Sequence, residues 1–153
     1  MHPNVVRVSA VLAALGASGS VRELPVAATT AAIAAESLGV EVGAIANSLI
    51  FRGTQPVLVM ASGAHRVDTV KLAALLDMPS LDRADPGYVR DATGQPIGGV
   101  APVGHPHRLR TVVDFALAAF PVVWAAAGTP NTVFNTTYEE LLRLTAGTPA
   151  EVA

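Results

Sequence analysis

Between Gly94 and His107 the chain reads Gly-Gln-Pro-Ile-Gly-Gly-Val-Ala-Pro-Val-Gly-His-Pro-His. Gly98 and Gly99 allow positive φ and close backbone approach, while Pro96, Pro102 and Pro106 fix φ near about −65° and carry no amide donor. A loop built this way is shaped and rigid. It can aim the N–H groups of Gly98, Gly99 and Val100 at a developing negative charge, the arrangement that stabilises a tetrahedral oxyanion with little reorganisation. The same residues also suit a tight connection between two strands, since Gly and Pro are the ordinary punctuation of loops.

His105 and His107 close this loop, and with His65 they raise a metal reading, because neutral imidazole is a good zinc ligand. Pro106 separates the pair, however, and no nearby carboxylate completes a recognised spacing, so no metal ligands are assigned. His105 is expected to orient loop amides or to donate at a pocket rim, and His107 to be exposed.

The elements that must position such a loop follow from periodicity and caps. Val5, Val8, Val11, Leu12 and Leu15 recur at helical spacing, predicting a helix from about Asn4 to Leu15 that ends at Gly16. A short strand over Val21–Leu24 precedes a helix over Ala31–Leu38, capped by Thr29 or Thr30 and closed by Gly39. One of the two threonines is then left for other use. Ile45–Arg52 and Pro56–Ser62, separated by Gly53-Thr54-Gln55, read as a central antiparallel hairpin. Asp68 opens a helix that ends at Leu76-Asp77-Met78-Pro79, and its relation to Lys71 is that of a cap or a helix-surface pair. A strand near Ser80–Leu81, a small helix from Asp85-Pro86 to Ala92, strands over Arg110–Val113, Pro121–Ala126 and Thr132–Asn135, and a helical Phe115–Ala119 come next. Thr137-Tyr138-Glu139-Glu140 is a capping box for a last, leucine-rich helix. Hairpins mixed with helices, rather than regular β-α-β alternation, predict an α+β fold.

Composition narrows the function. The chain has 153 residues, 51% of them hydrophobic but only 5% aromatic, so Ala, Val and Leu fill the core and broad aromatic stacking platforms are unexpected. Without cysteine there are no disulfides or thiolate metal sites, which fits a reducing, cytoplasmic setting. A net charge of −2 argues against coating nucleic acid by charge alone. Arg52, Arg66, Lys71, Arg83, Arg90, Arg108 and Arg110 are spread along the chain, and contact with a nucleic acid would require several of them to converge. The apolar run Phe115–Gly128 contains Pro121 and is shorter than the ~20 residues of a membrane helix, so no membrane partner is expected. Val8–Gly19 faintly resembles a signal-peptide core, but its one-sided pattern favours the helix.

Four segments place polar residues where a strand begins or ends: Asn47-Ser48-Leu49-Ile50; Ser62-Gly63 with Arg66-Val67-Asp68 and Lys71; Gly98-Gly99-Val100-Ala101-Pro102-Val103-Gly104; and Ala126-Ala127-Gly128-Thr129. In wording and order they resemble the YbaK/EbsC-like family of aminoacyl-tRNA deacylases, which includes the editing domain of bacterial prolyl-tRNA synthetases. The resemblance covers about residues 3 to 148 of what reads as a single domain, 1–153. It implies a mixed, mostly antiparallel, barrel-like sheet with flanking helices. It also implies a free-standing trans-editing hydrolase that cleaves the ester of a wrong, small amino acid such as cysteine or alanine on tRNA, proline tRNA among the candidates. The implied partners are aminoacyl-tRNA and a synthetase; no cofactor is implied.

Carried onto this chain, the resemblance makes Asn47, Gly98 and Gly99 the candidate catalytic residues, with the glycines supplying oxyanion donors and room for the terminal adenosine. Gly128 and Thr129 would line the opposite wall, and Thr29 or Thr30 would border the aminoacyl group. Ser62, Arg66, Pro102 and His105 complete the substrate-binding set, Arg66 being placed either to reach a phosphate or to be simply solvated. The departure is at Asn47, where the family pattern has lysine. Asn can donate and accept hydrogen bonds but cannot neutralise a phosphate. Three readings stay open: an active subgroup that uses Asn47, a cation supplied by Lys71 or an arginine, or a module of the same fold that binds tRNA or nucleotide without turnover.

Overall fold

The computed structural model describes residues 1–153. In chain order it comprises α1 (Pro3–Ala14), β1 (Val21–Glu23), α2 (Ala31–Leu38), β2 (Ile45–Arg52), β3 (Pro56–Ser62), α3 (Thr69–Leu75), β4 (Asp82–Arg83), α4 (Pro86–Thr93), β5 (Arg110–Asp114), β6 (Val123–Ala126), β7 (Thr132–Thr136), α5 (Tyr138–Thr145) and β8 (Thr148–Ala150), with 3-10 turns at Val42–Ala44 and Phe115–Ala119. The expected α+β class is borne out. The strands form one mixed sheet in the order β1-β7-β6-β2-β3-β5-β8, with β4 pairing β2 off that path. Four of its seven pairings are antiparallel. The sheet does not close, because β1 and β8 end it on opposite sides, so it is barrel-like only loosely.

Local chemistry sets most boundaries. Thr30, Asp68, Asp85 and Thr137 each accept an N–H from the first turn of the helix they cap. Gly39 and Gly94 close α2 and α4 in the left-handed region. The capping box at α5 forms only by half. Thr137 accepts from Glu140 N, but Glu140 turns away from Thr137 N to accept from the Thr136 hydroxyl and from the amide and hydroxyl of Ser18. The strand expected near Ser80–Leu81 lies two residues later, at Asp82–Arg83, because Leu81 is buried beneath α3. The edge strand β8 carries Pro149 and no alternating pattern, and nothing local announced it.

The period-two alternation of β2 divides the core. Ala46 and Ile50 face one side with Leu58, Met60, Ala125 and Phe134, where Val8 and Leu12 of α1 and Leu141 and Leu144 of α5 cover them. Phe51, Val57, Val59 and Ala61 face the other side against Leu72, Ala73 and Leu76 around α3. Ile45 and Val133 pack with Leu24, Ala28, Ala34 and Ala35 around α2. Asn47 shares its strand face with Ile45 and Leu49, between the α2 and α3 clusters. No helix is long and apolar enough to cross a membrane.

Candidate functional site

A gap in the sheet makes the site. β2 pairs in parallel with β6 only at Ile45↔Trp124 and Ala46↔Ala125, and meets β4 only at Phe51↔Arg83 and Arg52↔Asp82. Between these pairings the edge of β2 from Asn47 to Ile50 has no strand beside it. A cleft enclosing about 450 Å³, part of it open to solvent, lies at this gap. Thr29, Thr30, Asn47, Ser48, Gly98 and Val100 line it, together with Trp124 and six alanines: Ala28, Ala31, Ala34, Ala46, Ala125 and Ala126. No ionisable side chain is among its lining residues. The high alanine content thus acquires a local meaning, since short side chains on three elements leave the space that the cleft occupies.

The Gly/Pro loop forms one wall through a tight turn. Gly99 N donates to Pro96 O at 2.9 Å and Gly98 holds φ +85°, as a turn with glycine at its third position requires. The Gly99 amide is therefore occupied, which removes it from the expected donor set. The N–H groups of Gly98 and Val100 have no partner within the protein, and both residues line the cleft. Val100 is 1% exposed, and an unpaired amide at such a position is costly unless something in the cleft accepts from it.

Sequence reasoning missed the residue that fixes this loop. Gln95, 2% exposed, donates from Nε2 to Val103 O at 3.2 Å and accepts at Oε1 from Ala101 N at 2.7 Å, tying the two arms together. A glutamine inside a Gly/Pro run resembles any loop polar residue, so only its burial reveals the role. His105 adds a second tie, its Nε2 lying 2.7 Å from Ala101 O. It orients the loop, one of its two expected roles, and His107 is exposed as expected.

Burial holds the His105 imidazole below its ordinary 6.5, against the opposing pull of the Ala101 carbonyl. The carbonyl can only accept, so the neutral ring carries its proton on Nε2. The unfolded chain binds a proton near pH 6.5 that the folded chain accepts only at lower pH. Stability from neutral His105 is therefore complete above about pH 6.5 and is lost as pH falls below it towards the folded value. Urea denaturation between about pH 8 and pH 5 should show a falling midpoint below that point and a flatter profile for His105→Gln; parallel profiles would dismiss His105 as the cause.

The threonines divide as the caps allow. Thr30 Oγ1 accepts from Ile33 N at 3.2 Å, whereas the Thr29 hydroxyl bonds nothing in the protein and borders the cleft beside Gly98. The Asn47 carboxamide is half-buried, lines the cleft and is likewise unengaged by the protein. Gly128 and Thr129 stand one layer behind. A Cβ on Gly99 would sit 2.6 Å from Thr129 C, so the two loops touch backbone to backbone, and Gly128 O accepts from Asn4 Nδ2 at 3.1 Å. The Thr129 hydroxyl is taken up by Asn131 and Thr132.

Ser62, Arg66 and Pro102 are not brought to the cleft. Ser62 is buried with its hydroxyl on Gly43 O at 2.8 Å, Pro102 is buried, and Arg66 is exposed in the segment after β3. Lys71, a candidate cation, donates from Nζ to Ala153 O and also lies away from the lining. The Asp68–Lys71 relation is the cap, with Lys71 N donating to Asp68. His65 instead meets the fully buried Asp114 at 2.9 Å; this carboxylate also accepts from Ser62 N and Ala116 N, holding the end of β3 to the end of β5. No three His, Asp or Glu side chains converge.

The profile of the aminoacyl-tRNA editing domain matches residues 25–144, which takes in β2, the Gly/Pro loop and the Gly128 segment. The chain belongs to the aminoacyl-tRNA editing domain family. Within this YbaK-like family it is 34% identical over 123 residues to the uncharacterised protein YwhH of Bacillus subtilis, covering 79% of this chain and 78% of that one. It is 28% identical over 120 residues to EbsC of Enterococcus faecalis, named as a candidate Cys-tRNA(Pro)/Cys-tRNA(Cys) deacylase, covering 77% and 73% of the two chains. A solved structure named as a candidate trans-editing enzyme for prolyl tRNA synthetase superposes with a TM-score of 0.93 at 42% identity, over 99% of this chain and 98% of the other. These relatives support an aminoacyl-tRNA deacylase activity in general terms.

Proposed function

We propose that this chain hydrolyses the ester between a small, wrongly attached amino acid and the 3′ end of a tRNA, with cysteine or alanine on proline tRNA as the first candidates. The observation that carries this reading is the pair of unpartnered N–H groups on Gly98 and Val100, in an alanine-lined cleft that also holds the free Asn47 carboxamide and Thr29 hydroxyl. An aminoacyl ester is already activated. What the reaction needs is a held water, donors for the oxyanion and a pocket that admits small side chains.

In this reading the ester carbonyl lies against the Gly98 and Val100 amides, whose dipoles strengthen their hold as the carbonyl oxygen becomes an alkoxide. Asn47 orients the terminal ribose or the water through its amide, which both donates and accepts. Water adds to the carbonyl carbon, the bond to the ribose oxygen breaks, and the proton from water ends on that oxygen. Free amino acid and intact tRNA leave. The alanine walls select by size, and since one methylene is worth only about 1–3 kcal/mol, rejection must come from a side chain that does not fit at all.

Incubation with a panel of mischarged tRNAs tests this directly. Release of a small amino acid is the expected result, with slow or no release of large ones. No deacylation of any pair at micromolar enzyme sinks the reading.

A further inference from the structure

A second concavity opens at the far end of β2, near the β2–β3 turn. It spans about 830 Å³, part of it open to solvent, and Tyr88 and Asp91 of α4, Gln55, His107, Arg108 and Arg110 are among its lining residues. The Arg52 guanidinium stands over the Tyr88 ring at 4.7 Å, adding a third arginine at its margin. All three arginines are exposed, and none belongs to either of the chain's two ion pairs, His65–Asp114 and Glu140–Arg143. Arg110 donates from its guanidinium Nη1 to Leu76 O at 3.2 Å, a contact that engages the head group without neutralising its charge. The lining carries Arg108 and Arg110 against the carboxylate of Asp91, and Arg52 at the margin has Asp82 as its cross-strand neighbour, which leaves a local excess of positive charge on a chain of net charge −2. The Asn47 cleft has no ionisable side chain in its lining, and one arginine, Arg22, stands over its Trp124 ring at 5.9 Å.

We propose that this arginine cleft binds the phosphate backbone of the tRNA whose charged 3′ end occupies the Asn47 cleft, an assignment that rests on the proposed function. Guanidinium groups pair with phosphate oxygens through two parallel N–H bonds, and a guanidinium stacked on an aromatic ring offers a flat surface to sugar or base. Position fits the same ligand. Ser48, which lines the Asn47 cleft, and Arg52 lie four residues apart on one face of β2, about 13 Å in extended backbone, a span of about four steps of a stacked nucleic-acid strand. The segment from Asp91 to Arg110 lines both clefts, leaving α4 at the arginine end, turning at Gly98 and returning at His107. A lining without ionisable side chains for the ester and an arginine-bearing site for the body thus divide the work. This placement answers why a chain of slightly negative charge can hold a polyanion.

Binding of uncharged tRNA, followed by fluorescence anisotropy at several salt concentrations, tests the proposal without any turnover. The triple variant Arg52→Ala, Arg108→Ala, Arg110→Ala should bind at least about tenfold more weakly, and its slope of log affinity against log salt should shrink by about 2 to 3. Because Arg110 also ties to Leu76, the double variant Arg52→Glu, Arg108→Glu serves as a second measurement with that tie intact and should weaken binding at least as strongly. Arg143→Ala, on α5, should leave the slope unchanged. Absence of wild-type binding at low salt, or equal slopes for wild type and both variants, overturns the proposal. So does retained tRNA binding with loss of affinity for polyglutamate in its place, which assigns the cleft to an acidic protein. A chain that deacylates nothing in the panel but loses tRNA with these arginines refutes the proposed reaction and leaves this surface standing.

Discussion

Gly99→Ala is expected to lower deacylation by about a hundredfold and to destabilise the fold by about 1–3 kcal/mol. The added Cβ would sit 2.6 Å from the Thr129 carbonyl carbon and 2.8 Å from Pro130 N, both backbone atoms that cannot rotate aside. The loop must retreat, and with it the Gly98 and Val100 amides on either side. A shift of about 1 Å is enough to misplace an oxyanion donor, so activity should suffer more than stability. Gly98→Ala makes the informative comparison. Its Cβ would meet nothing closer than 3.7 Å, so the cost there comes from φ +85° and not from a clash. Urea denaturation beside kcat/KM on an active aminoacyl-tRNA separates the two effects. A fully active Gly99→Ala protein would remove the loop from the mechanism.

Asn47→Ala should reduce kcat by about 10²–10³ while moving KM little, the signature of a group whose bond tightens in the transition state. The carboxamide makes no hydrogen bond within the protein, so its removal breaks none and stability should hold. Asn47→Lys addresses the departure from the family pattern. Alanines, threonines, Ile45, Val133 and Trp124 line the cleft around it with no ionisable side chain among them, an environment fitted to a neutral carboxamide, and the proposed phosphate site lies toward the other end of the strand. The lysine is therefore expected to lower the rate of an active wild type. Should it instead create activity in an inert protein, position 47 marks a lost function and the chain is a binding module.

Several site features were legible before the fold was known. Two adjacent threonines offered one cap and one spare hydroxyl, and Thr30 and Thr29 divide in that way. Gly98 and Gly99 announced a backbone-shaped site, although their amides proved unequal: Gly99 is spent on Pro96, and Val100 takes its place beside Gly98. Asp114 gave no signal, since an aspartate ending a strand looks like a solvated boundary residue until burial and three N–H donors are seen around it. Ser62 misled for the opposite reason. A Ser-Gly pair after a strand reads as functional, yet its hydroxyl closes a buried contact with Gly43.

What the sequence determined by itself is local: helix caps, the β2–β3 hairpin, the alternation that splits the core, and the order of four motifs that signals the family. Each depends on neighbours within a few residues, where side-chain chemistry acts directly on the backbone. What only the tertiary structure decided is which groups share a space. The unpaired stretch of β2 arises because β6 and β4 claim different ends of that strand, and the fit of Gly99 against Thr129 joins positions 30 residues apart. The convergence of Arg52 with Arg108 and Arg110 depends on the parallel pairing of β3 with β5, and such pairing leaves no periodic mark at the arginines themselves. The chemistry was written in single residues, but the cleft that gathers it exists only where strands from distant parts of the chain part from one another.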